Sequence, residues 1–539
     1  MGLLILFSVT LSAQERWVYR YDGPASGSDR ANSVAVGLDG NIYAAGESEG
    51  DGTDDDFIVV SLTNLGGERW VYRLSGSGSL WDVAYSITQG LDGNLYAAGF
   101  TWEATTSSDF AVVSLTTSGA ERWVYRYDGP VSASDMALSV AAGSDGHVYA
   151  AGESDGSGTD FDFTVVSLTD SGRERWVYRY NGPANNEDQA RSITVGSDGN
   201  IYAAGESRGS GTLRDFTVVS LTAAGDERWV YRYDGPASGT DRANSIVMGS
   251  DGNIYAAGES FGSGTSSDFT VVSLTAAGGE RWVYRHDGSA NGTDRAYSVI
   301  MGSDGHVYVA GESEGRLTDS DFTVISLTAS GTERWVFGYD GPASATDRAA
   351  SVLMGSDGNV YAAGHGFDNS TSFDFTVVSL TESGGERWAY RYDGPGSDWD
   401  HASSIVMGAD GYLYAAGYST GSRSGQDLTV LSLGPDLGVE ERDRRTARSQ
   451  LIEMSVSPIP TSSGLKIHYT LPEAAQVKLS VYDVSGRLIK NLVNTREESG
   501  SKIALWDRKN SEGLAAAPGT YFVRLEASGV CVSRKCVLL

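Results

Sequence analysis

Short apolar runs rich in Val, Ile, Phe and Tyr alternate along most of the chain with turns built on Gly and Asp. No long stretch carries a helical period, so the pattern predicts strands throughout. One stretch is representative: Ala243–Gly249, Ile254–Glu259, Phe269–Leu274 and Glu280–Arg285. Asp251-Gly252 parts the first two runs, a hairpin signal because glycine supplies the positive φ the turn needs. A polar loop and a Gly-containing turn part the others. In the last run Trp282 and Tyr284 fall on one face, and Arg281, Val283 and Arg285 on the other. This reads as four antiparallel strands joined by hairpin-type connections.

The stretch recurs. The tryptophan of Glu-Arg-Trp stands at Trp17, Trp70, Trp123, Trp176, Trp229, Trp282, Trp335 and Trp388, every step being 53 residues. An Asp-Gly pair recurs from Asp39 to Asp410, and a glycine from Gly46 to Gly417. A four-stranded sheet repeated in this way predicts an all-β, eight-bladed β-propeller. The first strand carries Ala and Ser (Ala243, Ser245) in all eight copies, and the fourth carries Trp and Tyr. Small side chains belong at a crowded hub and large ones in the wider outer gaps, so the first strand is expected innermost. The chain opens on a fourth strand at Glu15 and leaves the repeats on a third strand at Asp427–Leu433. The N-terminal strand is therefore expected to close the last blade and remove the open edges. An open solenoid would need capping ends, and the sequence offers none.

Composition sharpens this. Net charge is −30, yet the tail from Glu453 on holds 11 Lys/Arg against 8 Asp/Glu, so the repeats carry the excess acid. Such a surface disfavours nucleic acid and anionic membrane, and favours cations or basic partners, or serves solubility alone. Residues 1–13 are apolar and end Leu11-Ser12-Ala13, as a short secretory signal does, although no Lys or Arg stands near the start. The segment is too short to span a bilayer as a helix. The organisation expected is a signal segment (1–13), the propeller (14–433), a charged linker (434–451) and a C-terminal domain (452–539).

Candidate chemistry is sparse. An aspartate precedes the inner strand in every copy: Asp29, Asp82, Asp135, Asp188, Asp241, Asp294, Asp347 and Asp400. Eight carboxylates near one channel mouth could hold a cation such as calcium, or each could cap its own turn. Two other positions vary from copy to copy. One reads Arg30, Val83, Met136, Gln189, Arg242, Arg295, Arg348 and His401, and the other Glu47, Phe100, Glu153, Glu206, Glu259, Glu312, His365 and Tyr418. Divergence at set positions on a constant frame builds an asymmetric binding surface, or records neutral drift. Trp81, Tyr85, Trp102 and Trp399 are aromatics outside the repeat pattern. The five repeat histidines, His147, His286, His306, His365 and His401, fall in five blades at four repeat positions, which forms no metal triad by spacing. No Gly-x-Ser-x-Gly or His-Glu-x-x-His motif occurs. The Gly-containing turn before Trp229 has the outline found in quinoprotein dehydrogenases, but the propeller holds no cysteine pair.

Phe269–Trp282, followed by Asp294–Val299 and Ser303–Gly311, resembles the bacterial β-propeller repeats known as SBBP. That label implies seven blades where this sequence counts eight, a secreted or surface location, and no particular activity. The tail alternates as strands at Leu465–Leu471, Gln476–Tyr482 and Gly519–Leu525, which predicts a small Ig-like sandwich. Its Tyr469-Thr-Leu-Pro472, Val481–Arg487, Trp506-Asp507 and Gly519–Leu525 resemble the C-terminal sorting domain of the por (type IX) secretion system and the Ig-like domain of flagellar hook-capping proteins. The usual Asn-Pro opening is Ser457-Pro458 here. The resemblance implies the secretion machinery as a partner and the outer surface of a Gram-negative-type bacterium as the location. The expectation is an exported binding scaffold for a protein or glycan, with no catalytic residues assigned. An extracellular enzyme acting on polysaccharide and a passive surface protein are the alternatives.

Overall fold

A computed structural model describes residues 14–78, 80–315, 319–422, 424–434, 453–457, 464–471, 474–483, 487–511, 513–517, 519–527 and 530–538. The signal segment 1–13, the linker beyond Gly434, Pro458, Pro472 and the expected Ser485-Gly486 turn lie outside the described residues. The chain divides into two compact units, Met1–Val439 and Glu440–Leu539. Every regular element among the described residues is a β-strand.

The first unit is eight four-stranded antiparallel sheets. In the fifth the strands are Arg242–Met248, Ile254–Phe261, Ser267–Leu274 and Glu280–His286, paired in sequence order. The eighth is assembled from both ends of the repeats. Asp400–Met407, Leu413–Thr420 and Gln426–Gly434 are completed by Gln14–Tyr21, with Val18 opposite Leu431. Arg16 donates across this seam to Ser432 Oγ at 2.9 Å.

Where first strands meet, space is short. Ala243 and its equivalents are fully buried. The serine two residues on is not paired squarely. A β-bulge falls between Ala243 and Ser245, and at the same place in all eight sheets. The bulge turns the carbonyl of Arg242 onto Gly258, where a Cβ would sit 1.9 Å from the oxygen. Only glycine fits this recurring position. The serine hydroxyl then serves the neighbouring sheet. Ser192 Oγ accepts from Ile246 N and Ser245 Oγ from Val299 N, and so on at 3.2–3.4 Å until Ser404 Oγ accepts from Val34 N.

The fourth strands lean the same way. Trp229 Nε1 donates to the carbonyl of Ala276 at 3.1 Å in the next sheet's turn, and Tyr231 donates to Glu280 at 2.7 Å. Gly278, at φ +84°, lies under the Trp229 ring, where a Cβ would come within 2.6 Å of it. Between sheets run apolar layers such as Tyr202, Phe216 and Val218 against Ile254, Ala256 and Val272. The layer joining first and eighth sheets has the same composition, Tyr414, Leu428 and Val430 against Ile42, Ile58 and Val60.

The second unit is Ig-like, two facing antiparallel sheets. One is ordered Glu453–Ser457, Leu465–Leu471, Gly500–Trp506, and the other Leu488–Glu497, Ala475–Asp483, Gly519–Ala527, Val530–Leu538. Alternate residues Leu465, Ile467, Val477, Leu479, Val523 and Leu525 fill the core, with Trp506 edge-on to Tyr521 at 5.2 Å. Cys531 and Cys536 share one strand, five residues apart.

Two substitutions separate these constraints by thermal unfolding. Ser245→Ala removes one acceptor from Val299 N and is expected to cost about 1 kcal/mol. Gly258→Ala meets backbone rather than a movable side chain and is expected to cost about 3 kcal/mol or more. Deleting residues 14–21 strips the partner from Gln426–Gly434 and is expected to make the protein associate through that edge, seen by size-exclusion chromatography.

Candidate functional site

The recurring aspartates lie at the head of each first strand, and all eight are fully buried. In every sheet Oδ2 accepts from the amide six residues earlier, as Gly235 N donates to Asp241 at 3.1 Å. In six sheets Oδ1 also accepts from the amide twenty residues later, as Phe261 N donates to Asp241 at 2.8 Å. Each carboxylate thus ties the loop before its strand to the end of the second strand. The carboxylates also cluster locally, Asp215, Asp234 and Asp241 offering oxygens within 4.8 Å of one another. Arg232 already pairs with Asp215 at 2.5 Å.

The two divergent series prove to be one feature. Strand register sets them opposite each other: Arg30 faces Glu47, Arg242 faces Glu259, Arg348 faces His365, and His401 faces Tyr418. A third variable series was not read from the sequence. It is the bulged residue between Ala and Ser: Asn32, Tyr85, Leu138, Arg191, Asn244, Tyr297, Ala350 and Ser403. Six of these line a cavity of about 590 Å³ together with Arg242, Glu259 and Arg295. The signal was present, since this position changes between two that never do. Only knowledge of the bulge tells where it points.

Around this cavity the sheets exchange ion pairs. Between fourth and fifth sheets, Glu206 takes Arg242 at 2.5 Å and Arg214 at 2.9 Å, and Arg242 also reaches Glu259 at 3.5 Å. Between fifth and sixth, Arg295 meets Glu259 at 2.7 Å. Between sixth and seventh no such pair forms among the described residues, Arg348 lying over the Tyr297 ring, and between seventh and eighth the residues themselves differ. The positions of Glu206, Arg214, Thr240, Arg242 and Glu259 are held by His365, Phe373, Trp399, His401 and Tyr418. With Thr346, Arg348 and Asp400 these line a second cavity of about 270 Å³. Rings meet in series: Trp399 to Phe373 at 4.9 Å, Phe373 to His365 at 5.0 Å, His365 to His401 at 4.9 Å, His401 to Tyr418 at 5.6 Å.

His365 and His401, scattered by repeat position in the sequence, are brought together, Nδ1 to Nδ1 at 2.7 Å. One ring donates and the other accepts, which requires at least one neutral imidazole. Burial, with Arg348 adding to it, pushes His365 down to about 3. Burial, then His365 and Arg348, holds His401 well below its ordinary value. Trp399 is 51% exposed at the rim. The other aromatics outside the repeat pattern are divided: Tyr85 lines the larger cavity, and Trp81 is 59% exposed elsewhere.

Burial also raises Asp241, Asp347 and Asp400 to about 7. Their unfolded values lie near 3.8, so the native state binds more protons between these limits. The stability they contribute is full below about pH 4 and is lost as pH rises through about 7. His365 acts oppositely, its contribution being lost as pH falls from about 6.5 toward 3. Above about pH 6.5 the His365 contribution is constant and the aspartates act together with Glu153, which burial also raises to about 7, so melting temperature is expected to fall from there to about pH 8. Asp347→Asn, followed by calorimetry across that window, is expected to flatten the slope.

Comparison with known proteins gives the following. The family described as FlgD Ig-like domain matches residues 458–529. No curated protein matches the sequence. Among solved structures, PorZ of Porphyromonas gingivalis, a bacterial surface component of the type-IX secretion system, is similar at 11% identity and a TM-score of 0.31, over 94% of this chain and 81% of PorZ. A protein of unknown function from Dyadobacter fermentans is similar at 11% identity and a TM-score of 0.35, over 78% of this chain and 99% of that one. Drosophila Plexin A, solved with Semaphorin 1b, is similar at 9% identity and a TM-score of 0.38, over 79% and 88%.

Proposed function

We propose that the chain is an exported, closed eight-bladed β-propeller of SBBP-type repeats that binds a ligand outside the cell, with its tail serving as a type IX sorting domain. Closure is supported by the eighth sheet, which takes its fourth strand from Gln14–Tyr21, and by the serine–amide bonds that return from Ser404 to Val34. Export is supported by the apolar segment 1–13, and sorting by the Ig-like match over 458–529 with the motifs that resemble sorting domains. No helix among the described residues is long and apolar enough to cross a membrane.

One observation carries the binding role. Between the seventh and eighth sheets, the positions that hold ion pairs and a threonine at the fourth and fifth are taken by His365, Phe373, Trp399, His401 and Tyr418, which together line one cavity. The pocket offers an exposed tryptophan, apolar ring faces and a few polar groups, the composition of a small-ligand site. It holds no paired carboxylates at acid–base spacing and no activated nucleophile, so the reading is recognition rather than turnover.

A glycan and peptide array probed with the intact protein tests this. The expected result is retention of a defined ligand, lost at least tenfold in Trp399→Ala with the melting temperature unchanged. Loss of substrate from the array would instead mean an enzyme, and no retention a passive structural role. Calcium is expected to leave the melting temperature unchanged, because Arg232 and its equivalents already neutralise the aspartate clusters. Removal of 453–539 is expected to abolish surface display, read by protease shaving of cells.

A further inference from the structure

The first cavity-facing arginines of neighbouring sheets are all compensated. Arg30 meets Glu47, Arg242 meets Glu206 and Glu259, and Arg295 meets Glu259 and Glu312. Arg348 occupies the same repeat position in the seventh sheet and has no carboxylate partner among the described residues. The residue opposite it is His365 rather than Glu. The carboxylate of Glu312 is taken by Arg295 and by the Tyr297 hydroxyl at 2.7 Å. Arg348 instead lies over the Tyr297 ring, 4.4 Å from its centre, and its buried Nε has no hydrogen-bond partner. Leaving a guanidinium without its anion in a partly desolvated cavity is unfavourable, and a ligand carboxylate restores the pairing that the other sheets have built in.

The rest of the cavity narrows the class of that ligand. Trp399, half-exposed and backed by Phe373, offers an aromatic ring of the kind that suits the C–H face of a pyranose. Thr346, Tyr418 and the two imidazoles add hydroxyl-matching polar groups along the wall. The one acidic neighbour, Asp400, is turned away: its oxygens accept from Gly394 N at 2.6 Å and Thr420 N at 2.8 Å. A flat aromatic acid would use the rings but leave these polar groups unmatched. A volume of about 270 Å³ accommodates one sugar residue.

We propose that the cavity between the seventh and eighth sheets binds a single terminal hexuronic acid residue of an otherwise neutral glycan, its carboxylate on Arg348 and its ring on Trp399, so that only one anion, paired on arrival, is set against the acidic surface of the repeats. This rests on the binding role argued above and adds the chemical class of the ligand.

Calorimetric titration of the full chain with the methyl glycoside of galacturonic acid, and with its methyl ester, tests it. The ester keeps the shape and removes the charge. Saturable binding of the acid, with the ester at least tenfold weaker, is expected, together with a loss of at least tenfold in Arg348→Gln. Because the ester comparison uses the unaltered protein, it decides the matter even where Arg348→Gln folds poorly. Equal binding of acid and ester, an unchanged Arg348→Gln, or no binding of the acid at millimolar concentration overturns the proposal. The two readings fail differently. A neutral glycan bound in a Trp399-dependent way ends the uronate assignment and keeps the site. Binding indifferent to Trp399→Ala ends both.

Discussion

Crowding where the first strands converge is the constraint on which the rest depends. A side chain larger than Ala or Ser does not fit between neighbouring first strands. The bulge that turns the serine toward the next sheet pushes a carbonyl onto the facing second strand, so that strand must carry glycine there. The serine supplies the acceptor that the neighbouring amide lacks. Ala, Ser and Gly recur in all eight copies for one reason, and each makes sense only with the other two. The outer strands relax as space widens, and there the large tryptophans and tyrosines lie across to the next sheet.

The same bulge separates frame from function. By adding one residue it takes that residue out of the ladder and leaves it free to vary. Tyr85, Arg191 and Tyr297 are tolerated side by side with Asn32 because none is asked to fit between sheets. Around them the cross-strand pairs settle their charges locally. Sheets four to six do so with Arg and Glu, while sheets seven and eight give up the ion pairs for rings and leave Arg348 over. An array whose frame is so uniform can carry junctions of different chemistry without loss of the packing elsewhere.

The all-β organisation, the strand order, the innermost first strand and the completion of the last sheet by the N-terminal strand were legible in the sequence. All follow from the 53-residue period and from side-chain size. The Ig-like tail was legible in its alternation, although Leu488–Glu497, which is largely polar, and Gly500–Trp506, where Ile503 and Leu505 face outward and mask the alternation, were not. The site was legible only in pieces. Both divergent series were visible, but the sequence does not show that they pair across strands. It also does not show that His365 and His401, 36 residues apart, meet across two sheets. Neighbourhood between sheets is set by packing, which the linear repeat does not record. The recurring aspartates drew notice by their regularity, and their regularity is that of a turn held in place in every sheet.

The strand Gln14–Tyr21 has two allegiances. It completes the eighth sheet through Gln426–Gly434, and its Glu15 receives the hydroxyl of Tyr390 from the seventh. Its ladder partner lies at the far end of the repeats, so Gln14–Tyr21 has no strand to pair with until some 416 residues later have emerged, although Trp17 and Tyr19 also donate to Asn64 and Glu68 of the first sheet. Loop closure over that distance is slow compared with the hairpins of each sheet, which form from neighbours in sequence. Sheets one to seven can assemble as the chain lengthens, while the final seam waits. During that wait the eighth sheet lacks its fourth strand, and Gln14–Tyr21 is held only by side-chain bonds to the first sheet.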